Sequence, residues 1–234
     1  MTGTLKTHTY PSGDGLPVAE TFLHVYAILI TLEVLKQYLE GTRATVLANQ
    51  FLYYAPDFPT LRVAPDVMVI FGVEPGGRDN YKTWEEGQVP SVIFEITSKH
   101  TQSKDQGEKK TLYAGLGVQE YWLFDPKGEW IAEQLQGYRL RSFEEESETI
   151  SRYVPIADGT SEPLGLQLVV EGALIGFYRL DTGDKLLIPA ELAARLKQEQ
   201  LRAEQAERRA ELAERRAAAL TERLRALGVD PDQP

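Results

Sequence analysis

Residues 65–73 read PDVMVIFGV, and residues 91–125 read SVIFEITSKHTQSKDQGEKKTLYAGLGVQEYWLFD. Three short apolar runs stand out in them, at 67–73, 92–96 and 121–124, rich in β-branched or aromatic residues. Bounded by Gly, Pro and polar residues, such runs read as buried strands. Asp66 stands at the entry of the first and Glu95 lies inside the second. An unpaired carboxylate is costly to bury, so an acid inside such a run implies a cation beside it. Lysines at 99, 104, 109 and 110 follow the second run.

Composition narrows the classes of function. With 234 residues and 42% hydrophobic residues the chain is long enough for one ordinary domain and an appendage. It holds no cysteine, which excludes disulfides, thiolate metal sites and thiol catalysis. The first residues lack the basic-then-apolar character of a signal peptide, and the longest apolar stretch, 22–32, is too short to span a bilayer. The expectation is a soluble, cytoplasmic protein with no membrane association. Net charge is −10, and its distribution is uneven. Residues 191–234 carry 9 basic and 9 acidic side chains, which leaves 16 basic against 26 acidic in the body. Such a body is no general polyanion binder, so any contact with nucleic acid needs a local basic patch or a bridging metal.

Outward from the central stretch, residues 1–17 are polar and Gly/Pro-rich and read as an extended arm. The spacing over 18–39 predicts a helix, with Phe22, Tyr26, Leu29 and Leu32 at three- and four-residue steps and Val25, Ile28, Leu35 and Leu39 widening the apolar face. Glu20 and His24 share a face near its start. Residues 45–55 predict one long strand, and 74–90 a loop anchored by Trp84. A helix is expected over 104–115, closed by glycines, and the turn chemistry of 125–128 leads into a hairpin of 129–136 and 138–143. Apolar segments at 166–170 and 174–180 complete a body of residues 18–188. Residues 189–227 form a long helix, followed by a tail at 228–234. Positions 196, 203, 210, 217 and 224 are Leu, Ala, Ala, Ala and Leu; positions 192, 199, 206, 213, 220 and 227 are Leu, Glu, Ala, Ala, Leu and Leu. That is a heptad with a narrow alanine-rich seam, so a coiled coil and a homodimer are expected. A solvated helix held by Glu/Arg pairs is the alternative.

Acids in the first helix, at the entry of one strand and inside another suit a divalent cation such as Mg²⁺, which takes hard oxygen donors and keeps waters for a substrate. A nearby lysine can orient an attacking water and stabilise charge developing on a phosphate. There is no GxxxxGK phosphate loop, no GxGxxG and no GxSxG elbow. Read singly, each residue has a plainer explanation. Asp66 can be a turn residue at strand entry, Glu95 half of a structural ion pair, and Glu20 or Asp105 a helix-start acid. His24 reads as a satisfied helix histidine, and Tyr113, Tyr121 and Trp122 as core packing.

The set PD (65–66), EITS (95–98), DQGEK (105–109) with Tyr113 four residues on, and GVQEYWLFDP (117–126) resembles the restriction-endonuclease family abundant in cyanobacteria, within the PD-(D/E)xK nuclease-like superfamily. The likeness covers roughly 16–180. It implies an α/β, restriction-endonuclease-like fold: a mixed central sheet flanked by helices, here followed by the long C-terminal helix. It implies a Mg²⁺-dependent (or Mn²⁺-dependent) endonuclease that hydrolyses phosphodiester bonds of DNA with metal-activated water. Glu20, Asp66 and Glu95 take the metal-binding positions, and Asp66, Glu95 and Lys109 the catalytic ones. The superfamily's strand lysine, two residues after Glu95, is Thr97 here; the resemblance moves that role to Lys109, with Lys99, Lys104 and Lys110 as substitutes. The competing reading is a catalytically inactive nuclease-fold protein that acts in protein–protein interaction through its coiled coil.

Overall fold

The structure, a computed structural model, describes residues 8–13, 15, 20–99, 101–145 and 148–227. It contains two compact units, divided between Leu186 and Leu187.

The first unit is built on a six-stranded sheet in the order β1-β4-β6-β7-β8-β9. Its strands are β1 (Ala44–Ala48), β4 (Val67–Phe71), β6 (Val92–Ile96), β7 (Glu120–Phe124), β8 (Leu135–Glu145) and β9 (Glu148–Ile156). Only β6 and β7 pair in parallel, with Val92 opposite Glu120 and Glu95 opposite Leu123; the other pairs are antiparallel. The parallel pair needs a crossover, supplied by a helix spanning 102–116, here α3. β6 and β7 are buried along their whole length, which explains why their sequences are continuous apolar runs without alternation. On one face Met68, Ile93, Tyr121 and Leu123 pack with Tyr113 of α3. Toward the other, Phe94 meets Phe177 edge-on at 6.1 Å. Helix α1 (Phe22–Tyr38) lies against β1, β4 and β6.

Two small sheets complete this unit. One is β10 (Thr160–Ser161), β11 (Leu166–Glu171) and β12 (Leu174–Arg179); the other is β3 (Arg62–Val63), β2 (Leu52–Tyr53) and β5 (Tyr81–Lys82). The strand expected over 45–55 is therefore two. Asn49 adopts φ 51°, a left-handed conformation that breaks the chain between β1 and β2 and sends them to different sheets. Residues 74–90 are likewise more than a loop: they hold β5 and a one-turn helix α2 (Thr83–Glu86) ended by Gly87 at φ 72°. Trp84 does anchor there, tilted against Tyr10 at 5.3 Å, and the Tyr53 hydroxyl donates to the carbonyl of Pro11. The described part of the N-terminal arm is thus pinned to the body.

Helix α1 begins four residues later than expected. Thr21 is its N-cap, with the side-chain oxygen accepting from the His24 amide at 3.4 Å, so Glu20 stands just ahead of the helix; residues 18 and 19 lie outside the described residues. Its buried residues are His24, Ala27, Ile28, Ile30, Thr31, Val34 and Leu35, while Phe22 and Leu29 are 75% and 50% exposed. The helix is apolar nearly all round, so spacing alone could not tell the inner stripe from the outer one. The expected hairpin of 129–136 and 138–143 is displaced. Residues 126–134 wrap the buried Asp125 carboxylate, which accepts from the amides of Lys127, Trp130 and Ile131, and the hairpin is β8 with β9.

The second unit is the helix α4 (Pro189–Ala226), exposed along its length, with Leu192, Leu196 and Leu220 41%, 60% and 62% exposed. Residues 228–234, expected as a tail, lie outside the described residues.

At Gly137, on β8 opposite Trp122, an added Cβ would lie 2.4 Å from the Trp122 ring. Gly137→Ala should lower the urea-unfolding free energy by about 1–3 kcal/mol. Gly115→Ala in α3, where a Cβ meets nothing within 4 Å, should be neutral or stabilising by up to about 1 kcal/mol. Equal midpoints for the two variants would contradict this packing.

Candidate active site

The acids gather where β4 begins and β6 ends. Val67 pairs with Phe94, so the antiparallel register continued one step sets Asp66 opposite Glu95, on one face of the sheet. The two strands part at this point, and the Asp66 Oδ2 accepts from the Ile96 amide at 2.6 Å in place of a ladder bond. Glu95 is 1% exposed, and both its oxygens are engaged. Lys109 Nζ donates to Oε2 and the Tyr113 hydroxyl to Oε1, each at 2.7 Å.

Both donors come from α3, where the chemistry depends on backbone geometry. Residues Asp105–Lys109 form a π-helical turn inside the helix, a distortion that re-aims side chains and is common at functional sites. Asp105, Lys109 and Tyr113 recur at four-residue steps on the inward face. Asp105 is fully buried; its Oδ1 lies 3.0 Å from Lys109 Nζ, an electrostatic contact without a well-directed hydrogen bond. Its backbone carbonyl accepts from the Tyr121 hydroxyl at 2.9 Å, tying the turn to β7. The other candidate lysines point elsewhere. Lys110 sits over the Tyr138 ring at 3.4 Å, and Lys99 and Lys104 are exposed.

Glu20 and His24 lie at the same end of the sheet. His24 Nε2 is 4.0 Å from Glu20 Oε2 and 3.9 Å from Asp66 Oδ1. His24 Nδ1 and Thr97 Oγ1 are buried with no hydrogen-bond partner among the described residues. Thr97, two residues after Glu95, carries no charge, and the cation beside Glu95 comes from α3.

Burial sets the titration of this cluster. Desolvation pushes Asp66 up to about 6, against the pull of Lys109 and the Ile96 amide. It pushes Glu95 up to about 8, with Lys109 opposing and the Asp66 and Asp105 charges reinforcing. Burial works against the Lys109 charge, but Glu95 and Asp105 outweigh it and hold the ammonium above its ordinary range. His24 is lowered, burial prevailing over the nearby acids. Asp66 and Glu95 thus both favour protonation, with one buried ammonium beside them.

The donor set suits a hard divalent cation in kind. Among the described residues no three His, Asp or Glu side chains form a cluster that would enclose an ion. Such an ion would thus be held by two carboxylates and water, the usual habit of Mg²⁺.

The sequence brought out Asp66, Glu95, Glu20 and Lys109, and the fold gathers all four at one end of the sheet. It left Tyr113 and Asp105 as packing and capping residues. Their shared four-residue spacing with Lys109 was the available signal. Glu120, also missed, is buried within β7 and serves structure: its carboxylate receives Arg139 at 2.8 Å and the Trp122 indole at 3.1 Å.

The fold and this cluster define a mixed α/β protein with buried acids and a lysine at the parting of two strands. The chain belongs to the Uma2 family, described as "Putative restriction endonuclease", whose model matches residues 4–166. A comparison with the curated proteins finds none that matches. Among solved structures the chain is similar to a "putative nuclease belonging to DUF820" from Anabaena variabilis ATCC 29413, with 16% identity over 63% of this chain and 76% of that one and a TM-score of 0.43.

An acid whose folded pKa is raised contributes stability that is full below its unfolded pKa and is lost as pH rises through the folded one. The windows run from about 3.9 to about 6 for Asp66 and from about 4.3 to about 8 for Glu95. Stability should therefore fall between pH 5 and pH 8, and Glu95→Gln should flatten that fall, read from urea midpoints across the range. A wild-type midpoint that rises over this window would mean both acids are ionised throughout.

Proposed function

We propose that the chain is a metal-dependent endonuclease that hydrolyses phosphodiester bonds of DNA. The observation that carries this reading is the buried Glu95 held between Lys109 and Tyr113 with Asp66 opposite it in register. Asp66 and Glu95 would hold Mg²⁺ or Mn²⁺, while Glu20, ahead of α1, adds negative charge at the same end of the sheet without ligating the ion. The ion would supply a Lewis acid for the phosphate and lower the pKa of the attacking water. The protein's own part is positioning. Tyr113 fixes the Glu95 carboxylate, Asp105 keeps Lys109 charged and aimed, and the Lys109 ammonium stabilises negative charge as it develops on the phosphate. Asp66 keeps Oδ1 free of the amide bond its other oxygen accepts. Membership of the Uma2 family supports the nuclease class.

Supercoiled plasmid incubated with Mg²⁺ or Mn²⁺ should be nicked or linearised, and chelation should stop it. Asp66→Ala should reduce the rate about 100-fold or more. Lys109→Ala should do the same while leaving Mn²⁺ affinity by calorimetry nearly unchanged, because the lysine acts in the transition state. Wild-type protein that is folded and cuts no DNA with either ion would favour the interaction-protein reading.

That second reading rests on α4, whose leucines are exposed within its own unit. A helix depends on packing for most of its stability, and the alanine seam would let a second copy approach closely. A homodimer paired through α4 follows. Light scattering should give a dimer for the full chain and a monomer when the chain stops after Pro189; a full-length monomer at micromolar concentration would end this account.

A further inference from the structure

A cavity of about 440 Å³ opens beside the acid cluster and shares Glu20, His24 and Thr97 with it. Its far wall comes from the loop wrapped on Asp125, including Lys127, Glu129 and Trp130, and Lys99 stands on the near side. The size lies in the range of about 300–1,000 Å³ typical of small-molecule sites. Three features need an occupant. Thr97 and His24 are 3% and 5% exposed, line the cavity, and keep Oγ1 and Nδ1 without a hydrogen-bond partner among the described residues. Trp130 is only half-buried although its amide donates to the buried Asp125 carboxylate. Lys99 and Lys127 place two exposed cations on a body with a large excess of acid.

We propose that this cavity receives one unpaired nucleobase of a nucleic-acid strand, next to the phosphodiester presented to Asp66 and Glu95. The inference rests on the nuclease reading above and narrows its substrate to a strand with an accessible, unstacked base: a single strand, an overhang or a flipped nucleotide. A base matches the lining better than a phosphate does. Trp130 offers a stacking surface that accepts any base. Thr97 and His24 offer hydrogen-bonding atoms for its edge, as pockets for extruded bases do. The carboxylates of Glu20 and Glu129 repel a phosphate but accept from an exocyclic amine or ring N–H. The flanking phosphates are left to Lys99 and Lys127.

The test is binding of the full chain to a twelve-nucleotide single strand and to the matching blunt duplex, with Ca²⁺ replacing Mg²⁺, followed by intrinsic tryptophan fluorescence. The single strand should bind more tightly and quench the emission. Trp130→Ala should weaken single-strand binding about tenfold or more. Trp130→Phe should restore affinity and lose most of the quench, which separates stacking from a folding defect. Lys127→Ala should weaken binding and make it less salt-dependent. Wild-type affinity in Trp130→Ala, or a duplex bound as well as the single strand, would overturn the proposal. Binding that follows this pattern with no cleavage of either the single strand or plasmid in Mg²⁺ or Mn²⁺ would sink the nuclease reading and leave the pocket standing. Cleavage that is indifferent to Trp130 would do the reverse.

Discussion

The burial of Glu95 is the constraint around which this molecule is arranged. A carboxylate on a strand covered on both faces has no access to water, and its desolvation has to be offset by partners of fixed geometry. Both partners come from α3, which also makes the crossover between the two parallel strands. The connection that closes the fold therefore also completes the site. A helix that served only as a crossover would need an apolar inner face. This one presents an acid, a lysine and a phenol in succession on that face, and only the phenol's ring joins the apolar core.

The same constraint explains the parting of β4 and β6. Asp66 takes the Ile96 amide that a continued ladder would have bonded elsewhere. That opens the sheet end toward Glu20 and His24 and leaves the Asp66 side chain 16% exposed while Glu95 is sealed. One acid faces the entrance and one the interior, an asymmetry that also separates the pH ranges in which they titrate.

Much of this was legible in the sequence because buried strands announce themselves as uninterrupted apolar runs, and a charge inside one is conspicuous. Asp66, Glu95 and Lys109 were found that way, with the family resemblance selecting the lysine. What stayed hidden depended on three-dimensional phase. The outer stripe of α1, Phe22 and Leu29, looked as much like a core face as the inner one. Asn49 splits a strand through a backbone torsion that its neighbours do not encode. The strand at 148–156 lies at the sheet edge with its first five residues exposed, and its apolar residues at 150, 153, 154 and 156 keep no steady alternation to mark it. Asp105 and Tyr113 stood at four-residue steps from Lys109, but the spacing alone did not show them as its partners, and the π-helical turn at Asp105–Lys109 has no sequence signature.

Acid and cation in this site are 14 residues apart and on different elements. In a site with both on one strand, the pair persists for as long as the strand does. Here the pair exists only while α3 is docked. A local opening of that helix, well short of global unfolding, would leave Glu95 sealed in the sheet without its ammonium and its phenol. A proton is the one replacement small enough to reach it there. Opening of α3 removes the pull of Lys109 that opposes the upward shift of Glu95, so the open state holds a proton there at pH values where the docked state does not. Opening should therefore grow easier as pH falls toward about 8 and change little below it, and protection of α3 amides from hydrogen exchange becomes a direct readout of the state of a carboxylate on a neighbouring strand.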